Sequence, residues 1–387
     1  MKAILSGYVN LLKTSVGSGI LSFPYLFKIY GIGPAIILTF FFGALTLVGL
    51  NIFTNCSIKI VNPNLSTLTH QAFPEISNVV TIAIFIKCLG VATSYLIVIR
   101  QLLPKFLSCI FLVEIGETTV LTICLLIFAP ICYFKKIDKL KITSTFGLLA
   151  IFFIVVASIY RYKTSDSQIY LEKSYNDVSF LWIDNFSKFI FAFTCHMNFF
   201  SVLHEFQHEN KKIMKNISLF VVLSALLFYL AFGYSNYKLY NQGVKDNVLE
   251  NYPDDSLASL IRLFYVIVMI FSYPLQVNPC RTYFLAMFNI KSKKTENIMS
   301  VIITTVIIII TYSIAISGIE LGVVYKIIGA TSSTLMCLIL PALYYLKLET
   351  DKKRFLIIFS YFTLSLGIFV FISTISRILF KYFVQDI

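Results

Sequence analysis

Long, nearly uninterrupted apolar runs constrain this chain more than any other feature. Crossing a bilayer takes roughly 20 predominantly apolar residues, and about eleven runs meet that requirement. They lie near Ile4–Phe27, Gly33–Ile58, Ile76–Leu103, Thr118–Phe134, Ile142–Tyr160, Leu181–Val202, Ile213–Tyr234, Leu257–Phe288, Ile298–Ser317, Leu321–Leu346 and Phe355–Phe380. Backbone polar groups cannot go unpaired in lipid, so such runs must be helices, which satisfy those groups internally. Barrel strands are shorter and alternate apolar with polar positions, and these runs do not. A soluble fold does not fit either. Hydrophobic residues make up 58% of the 387 residues and charged residues only 13%, against about 25% charged in an ordinary soluble domain. That is too little polar surface to cover a water-facing exterior. The expectation is an all-α integral membrane protein, a single transmembrane domain over residues 1–387 that sits in a lipid bilayer.

The net charge of +13 raises nucleic acid as a partner, but the basic residues form no single patch or stripe. They gather instead in short loops: Lys135, Lys136, Lys139 and Lys141 after the fourth run, Lys291, Lys293 and Lys294 after the eighth, Lys352, Lys353 and Arg354 after the tenth. All of these fall on the side of the N-terminus. The positive-inside rule then predicts a cytosolic N-terminus and a C-terminus in the lumen or outside the cell, at a vacuolar or other endomembrane or at the plasma membrane. The acidic residues Asp166, Glu172, Asp177, Asp246, Glu250, Asp254 and Asp255 lie mainly in two longer loops on the other side. The eight cysteines are scattered through apolar runs without paired spacing, so neither a disulfide framework nor a zinc site is indicated. The first apolar run continues into a full-length span, which argues against a cleavable signal peptide.

Three runs are broken by residues that a membrane helix avoids. The first carries Gly17–Ser18–Gly19 between a lone Lys13 and Pro24. Small residues at this spacing pack helices closely, and they also permit an unwound segment whose free N–H groups meet an anion. The sixth run is interrupted by Thr194–Cys195–His196–Met197–Asn198. A lone histidine in such a run is most often structural, but His and Asn together at mid-membrane are costly without a task. The eighth run holds Ser272, Pro274, Gln276, Asn278 and Pro279. Its prolines should kink the helix and free carbonyl groups. Breaks at corresponding places in two halves point to the substrate site of a secondary transporter. Their spacing predicts an inverted repeat, with repeat one about 4–160, repeat two about 181–346 and an extra helix about 355–380.

The broken segments also resemble a known family. Asn10–Tyr25 (NLLKTSVGSGILSFPY) is similar to the first-span signature of the amino acid/auxin permeases. Phe191–Asn198 (FAFTCHMN) is similar to their sixth, above all in fungal vacuolar and sodium-coupled neutral amino-acid transporters. Ser272–Arg281 (SYPLQVNPCR) resembles their eighth and Gly90–Pro104 (GVATSYLIVIRQLLP) their third. The resemblance implies a LeuT-type 5+5 inverted repeat plus one extra helix, acting as a monomer without a cofactor. It implies an amino acid held between the first and sixth spans, its carboxylate on the N–H groups of Gly17, Ser18 and Gly19. Carbonyl groups near Phe193, Thr194 and Cys195 would take the ammonium, with His196 and Asn198 beside it. Tyr95 would offer a hydroxyl, unless it simply packs among the other aromatics. Sodium-coupled relatives carry asparagine where Lys13 stands, and proton-coupled relatives often carry lysine. Lys13 is therefore expected to fill a coupling-ion site and contact Ser272, with protons driving transport, unless it snorkels to the surface. No acid lies in the middle of the first, third, sixth or eighth span, so neutral substrates are expected. Two departures stand out: Arg100 and Gln101 replace a small residue and an acid at the end of the third-span motif, and the family's long N-terminal tail is missing.

Rival readings remain. His204–Glu205–Phe206–Gln207–His208 fits the H-E-x-x-H zinc pattern of metalloproteases, where a continuous helix brings both histidines to one face. Here it falls at a polar span end without an evident third ligand. A non-transporting amino-acid receptor would share the fold, but such receptors signal through a soluble tail. A channel would need a filter or a ring of charge, and none is visible.

Overall fold

The computed structural model describes residues 2–58, 60, 62–112, 114–134, 140–165, 180–206, 212–288, 292–350 and 352–384. Among them there are helices and turns and no strand, as a chain with so few ways to pair its backbone in lipid requires. The basic cluster Lys135–Lys139 and the acidic residues Asp166, Glu172 and Asp177 lie outside the described residues. Nine described helical segments are long and apolar enough to cross a membrane.

The first span is not one of those nine, because it is two helices. α1 (Lys2–Val16) stops before Gly17, and α2 (Phe23–Tyr30) starts after a 3-10 turn over Gly19–Ser22. α3 (Ile32–Ile58) returns across the membrane, and the short α4 (Leu65–Ala72) follows. Asn64 caps α4: its side chain accepts from Thr67 N while the Thr67 hydroxyl receives the Asn64 N–H, both at 2.8 Å. α5 (Ser77–Phe111) is the longest helix. The fourth apolar run forms only α6 (Glu117–Phe128) and a 3-10 turn through Tyr133 that has a proline in its first turn. It is too short to count as a full crossing helix.

α7 (Leu140–Thr164) completes the first half. The sixth run is again broken, into α8 (Phe180–Phe193) and α9 (His196–Leu203). Then come α10 (Ile213–Tyr240) and α11 (Ser256–Ala286). α11 passes through Pro274 and Pro279 without ending, and the prolines remove the N–H donors for the carbonyls of Ile270 and Leu275. α12 (Lys293–Ile316) follows. The tenth run comprises α13 (Leu321–Ile328), two π-helical turns at Gly329–Ser333 and Leu335–Ile339, and α14 (Leu340–Leu348). α15 (Arg354–Val384) is last.

Burial ranks these elements from centre to rim. The apolar windows of Trp182–Leu203 and Pro74–Phe111 are 78% and 72% buried, and that of Arg354–Phe380 only 22%. The broken sixth span and the third thus form the centre, and the last helix faces outward. Packing repeats itself between the halves. α3 lies on α10 and α5 on α11. α1 packs on α7 as α8 packs on α13; α5 packs on α6 as α11 packs on α12; α5 packs on α13 as α11 packs on α7. Buried arginines tie off the ends. Arg281 donates to the carbonyls of Cys132 and Phe134 at 2.9 and 3.1 Å, serving orphan carbonyl groups at the end of the short fourth segment. Arg262 binds Asp254 and the Tyr252 carbonyl, both at 2.6 Å.

Candidate functional site

Gly17 ends α1 with a φ of +30°, a region that a side chain disfavours by roughly 1–2 kcal/mol. Gly19 is needed for a different reason. A Cβ there would lie 2.9 Å from the Ala192 Cα of α8, so only glycine lets the two broken spans approach this closely. The carbonyls around the break are already occupied. Tyr229 Oη donates to Ser15 O at 2.8 Å, Tyr265 Oη to Gly17 O at 3.1 Å and Tyr325 Oη to Ser18 O at 2.8 Å, and Ser22 Oγ donates to Gly19 O at 2.8 Å. The N–H groups that open the second half-helix have no such partners from their own helix. With these four carbonyls occupied, the N–H groups that open the second half-helix are the kind of group a helix N-terminus offers an anion.

The sixth span shows the converse polarity. α8 ends on Ile190, Phe191, Ala192 and Phe193, whose carbonyls lack helical partners. Thr194 Oγ1 takes Ile190 O at 2.5 Å, Thr194 N takes Phe191 O at 3.1 Å, and Tyr229 Oη takes Ala192 O at 2.6 Å. The last carbonyl of α8, that of Phe193, stands at the negative end of the helix dipole. The Tyr229 proton is thus shared between Ser15 and Ala192, holding the two breaks together.

A cavity of about 320 Å³ lies against both breaks. It runs from Gly19 and Phe191 along α1 to Asn10 and along α11 to Tyr283, roughly two helical turns toward the N-terminal face. The opposite side is closed. The Phe191 ring stacks on Tyr325 with centroids 4.6 Å apart, and the Tyr30 hydroxyl binds the Trp182 carbonyl. Beyond them, Lys188 pairs with Asp246 at 2.7 Å and Lys326 with Asp184 at 2.5 Å. Lys188 is 1% exposed and also sits 4.1 Å from the Tyr25 ring centroid.

The structure gathers Lys13, Gly17, Ser18, Gly19, Tyr95, Thr194 and Asn198 on the cavity wall. Asn198 Nδ2 donates to Thr14 Oγ1 at 2.6 Å, joining the halves that carry the breaks. Lys13 Nζ donates to Ser272 Oγ at 2.9 Å with Lys13 only 8% exposed, so it does not snorkel to the surface. Three expected residues lie elsewhere: neither backbone nor side chain of Phe193, Cys195 or His196 is on the cavity wall. The Phe193 ring meets Tyr229 edge-on at 5.0 Å, and Cys195 is buried in the core. His196 Nδ1 lies 3.2 Å from Cys337 Sγ and its ring packs on Phe53. The reason is rotation: α9 restarts at His196, and its cavity-facing positions are Met197, Asn198 and Ser201. Sequence reading missed Lys87, buried on the cavity wall, although a lone lysine within IAIFIKCLG is a signal of the same kind as Lys13. It also missed the three tyrosines at the breaks, whose role depends on contacts more than 200 residues away.

The zinc pattern loses its helix. α9 ends at Leu203, so His204 and Glu205 lie in a turn, and His208 is outside the described residues. Among the described residues no three His, Cys, Asp or Glu side chains cluster as a metal site would.

An all-helical bundle of membrane-crossing helices, with a polar cavity between two broken ones, defines a multi-span membrane protein with an internal cavity. The chain belongs to the family described as transmembrane amino acid transporter protein, whose family model matches residues 2–380. It is 27% identical to vacuolar amino acid transporter 5 of Saccharomyces cerevisiae, over 97% of this chain and 98% of that protein. It is also 27% identical to vacuolar amino acid transporter 6 of the same yeast, over 91% of each chain. A putative sodium-coupled neutral amino acid transporter 8 of Xenopus tropicalis is 24% identical over 84% of this chain and 80% of its own length.

Proposed function

We propose that this chain is a secondary active transporter that moves amino acids across a membrane by alternating access, driven by protons and independent of sodium. The observation that carries the reading is the complementary polarity of the breaks: N–H groups at Ser18 and Gly19 for a carboxylate, and the negative carbonyl end of α8, which Phe191 and Thr194 bring to the cavity wall, for an ammonium. A zwitterion satisfies both at once, with Asn198 and Thr194 beside it. Membership of the family supports the substrate class.

The cavity reaches the N-terminal face and is covered on the other side by the Phe191–Tyr325 stack and two ion pairs. That is one state of an alternating-access cycle; the other would part those pairs. Eleven spans, counting the broken first and the short fourth, fit a 5+5 inverted repeat plus one extra helix. Support comes from the matching contacts of α1 to α7 with α8 to α14 after a shift of five spans. An odd shift inverts the second half. The loop lysines support a cytosolic N-terminus, and the named yeast relatives support a vacuolar membrane.

Lys13 supports proton coupling. Its ammonium bridges the first and eighth spans through Ser272, filling with its own charge the place a coupling cation would take. A buried lysine can release and regain its proton as the cavity changes access. The wall carries Lys13 and Lys87 and no carboxylate among the described residues, so cationic side chains are repelled and neutral ones accepted. Purified protein in liposomes, given a panel of labelled amino acids, should exchange them across the membrane. Saturable binding without any exchange would overturn the reading in favour of a receptor.

A further inference from the structure

The cavity wall holds a second ammonium that the coupling scheme does not use. Lys87 stands on α5 about two helical turns before Tyr95 and is 6% exposed. Its Nζ donates to Ser333 Oγ at 3.3 Å and lies 5.9 Å from the Phe191 ring centroid. Among the described residues no carboxylate pairs with it. An ammonium has three hydrogens to donate, so its capacity is not exhausted by one long bond to a serine. The serine itself comes from an unusual place: the tenth span is π-helical over Gly329–Ser333 and again over Leu335–Ile339. Such turns are rare and concentrate at functional sites. The extra residue per turn changes which side chains face α5.

A buried cation without a counter-ion is costly in the membrane, and a ligand that brings an anion offsets the cost. The α-carboxylate of an amino acid is already committed to the N–H groups at Ser18 and Gly19. The anion for Lys87 must therefore come from the side chain. Phe191 sets the geometry: its ring rests on Tyr325 in the closed lid and neighbours Lys87 at the cavity wall. We propose that Lys87 receives the side-chain carboxylate of a dicarboxylic amino acid, making acidic amino acids substrates alongside neutral ones. The proposal rests on the reading of the breaks as an α-amino-acid site. A dibasic amino acid, by contrast, meets Lys13 and Lys87 together.

The test compares near-isosteres. Initial uptake of labelled glutamate and glutamine is measured in proteoliposomes for the wild type, Lys87→Met and Lys87→Arg. The wild type should carry both. Lys87→Met should lower the glutamate-to-glutamine ratio of kcat/KM by roughly ten- to hundred-fold, the effect of one charged hydrogen bond, while Lys87→Arg keeps most of it. An equal loss of both substrates in Lys87→Met would overturn the proposal and leave Lys87 structural. Wild-type uptake of glutamine without glutamate would overturn it too, even if Lys87→Met fails to insert, and leave the amino-acid site standing. Uptake of no amino acid by the wild type would overturn both readings.

Discussion

Lys13 Nζ donates to Ser272 Oγ at 2.9 Å, tying the first span to the eighth one turn below the break at Gly17. The contact joins helices from different halves of the chain, which the proposed alternating-access cycle would move relative to each other. In that cycle it would act as a latch whose strength depends on the lysine charge. Lys13→Gln should abolish accumulation against a gradient while exchange between equal pools persists. The measurement is gradient-driven uptake beside counterflow in the same liposomes. An equal fall in both would show that Lys13 only holds the fold together.

Gly19 sits where a Cβ would meet the Ala192 backbone at 2.9 Å. Backbone cannot move aside as a flexible side chain can. Gly19→Val should lower uptake at least about ten-fold, since the spans can no longer close around a ligand. Membrane insertion should survive, because valine suits an apolar helix. Gly17→Ala should do less, costing about 1 kcal/mol at its positive φ. Normal transport by Gly19→Val would remove the site from this break.

Tyr229 serves carbonyls of both breaks with one hydroxyl. Tyr229→Phe keeps the ring and orphans two buried acceptors, at roughly 1–3 kcal/mol each. A lower melting temperature in detergent and weaker transport are both expected. An unchanged melting temperature would mean that the hydroxyl does not clamp the spans.

From its place in the sixth-span motif His196 is expected beside the substrate, but its ring is turned to Cys337 and Phe53. His196→Ala should reduce uptake through lost packing. His196→Gln should keep the pH profile of the wild type. A flattened profile in His196→Gln would return the residue to the coupling path.

Much of this was legible in the sequence because membrane helices obey few rules. Apolar length fixed most spans, and residues costly in lipid marked Gly17–Gly19, Thr194 and Lys13. What stayed hidden depends on neighbours. Whether His196 or Asn198 faces the cavity is decided by the rotation of α9 after its break, which no local pattern encodes. The tyrosine bonds to Gly17 and Ser18 come from the eighth and tenth spans. Tyrosine is common in this chain, with 23 in all, so nothing singled out these two. The fourth run carries the apolar length of a span, but its helix gives way to a 3-10 turn at Ala129–Tyr133. Lys87 was legible by the reasoning applied to Lys13, and was passed over because no glycine break flags it.

The most direct test of the whole account is labelled amino-acid uptake into proteoliposomes under two changes made separately. Sodium is replaced by choline at fixed pH, and a pH gradient is imposed at fixed sodium. Full uptake in choline and stimulation by the gradient are expected if Lys13 stands in the cation's place and its proton is the coupled charge. Loss of uptake in choline together with indifference to the gradient would contradict it.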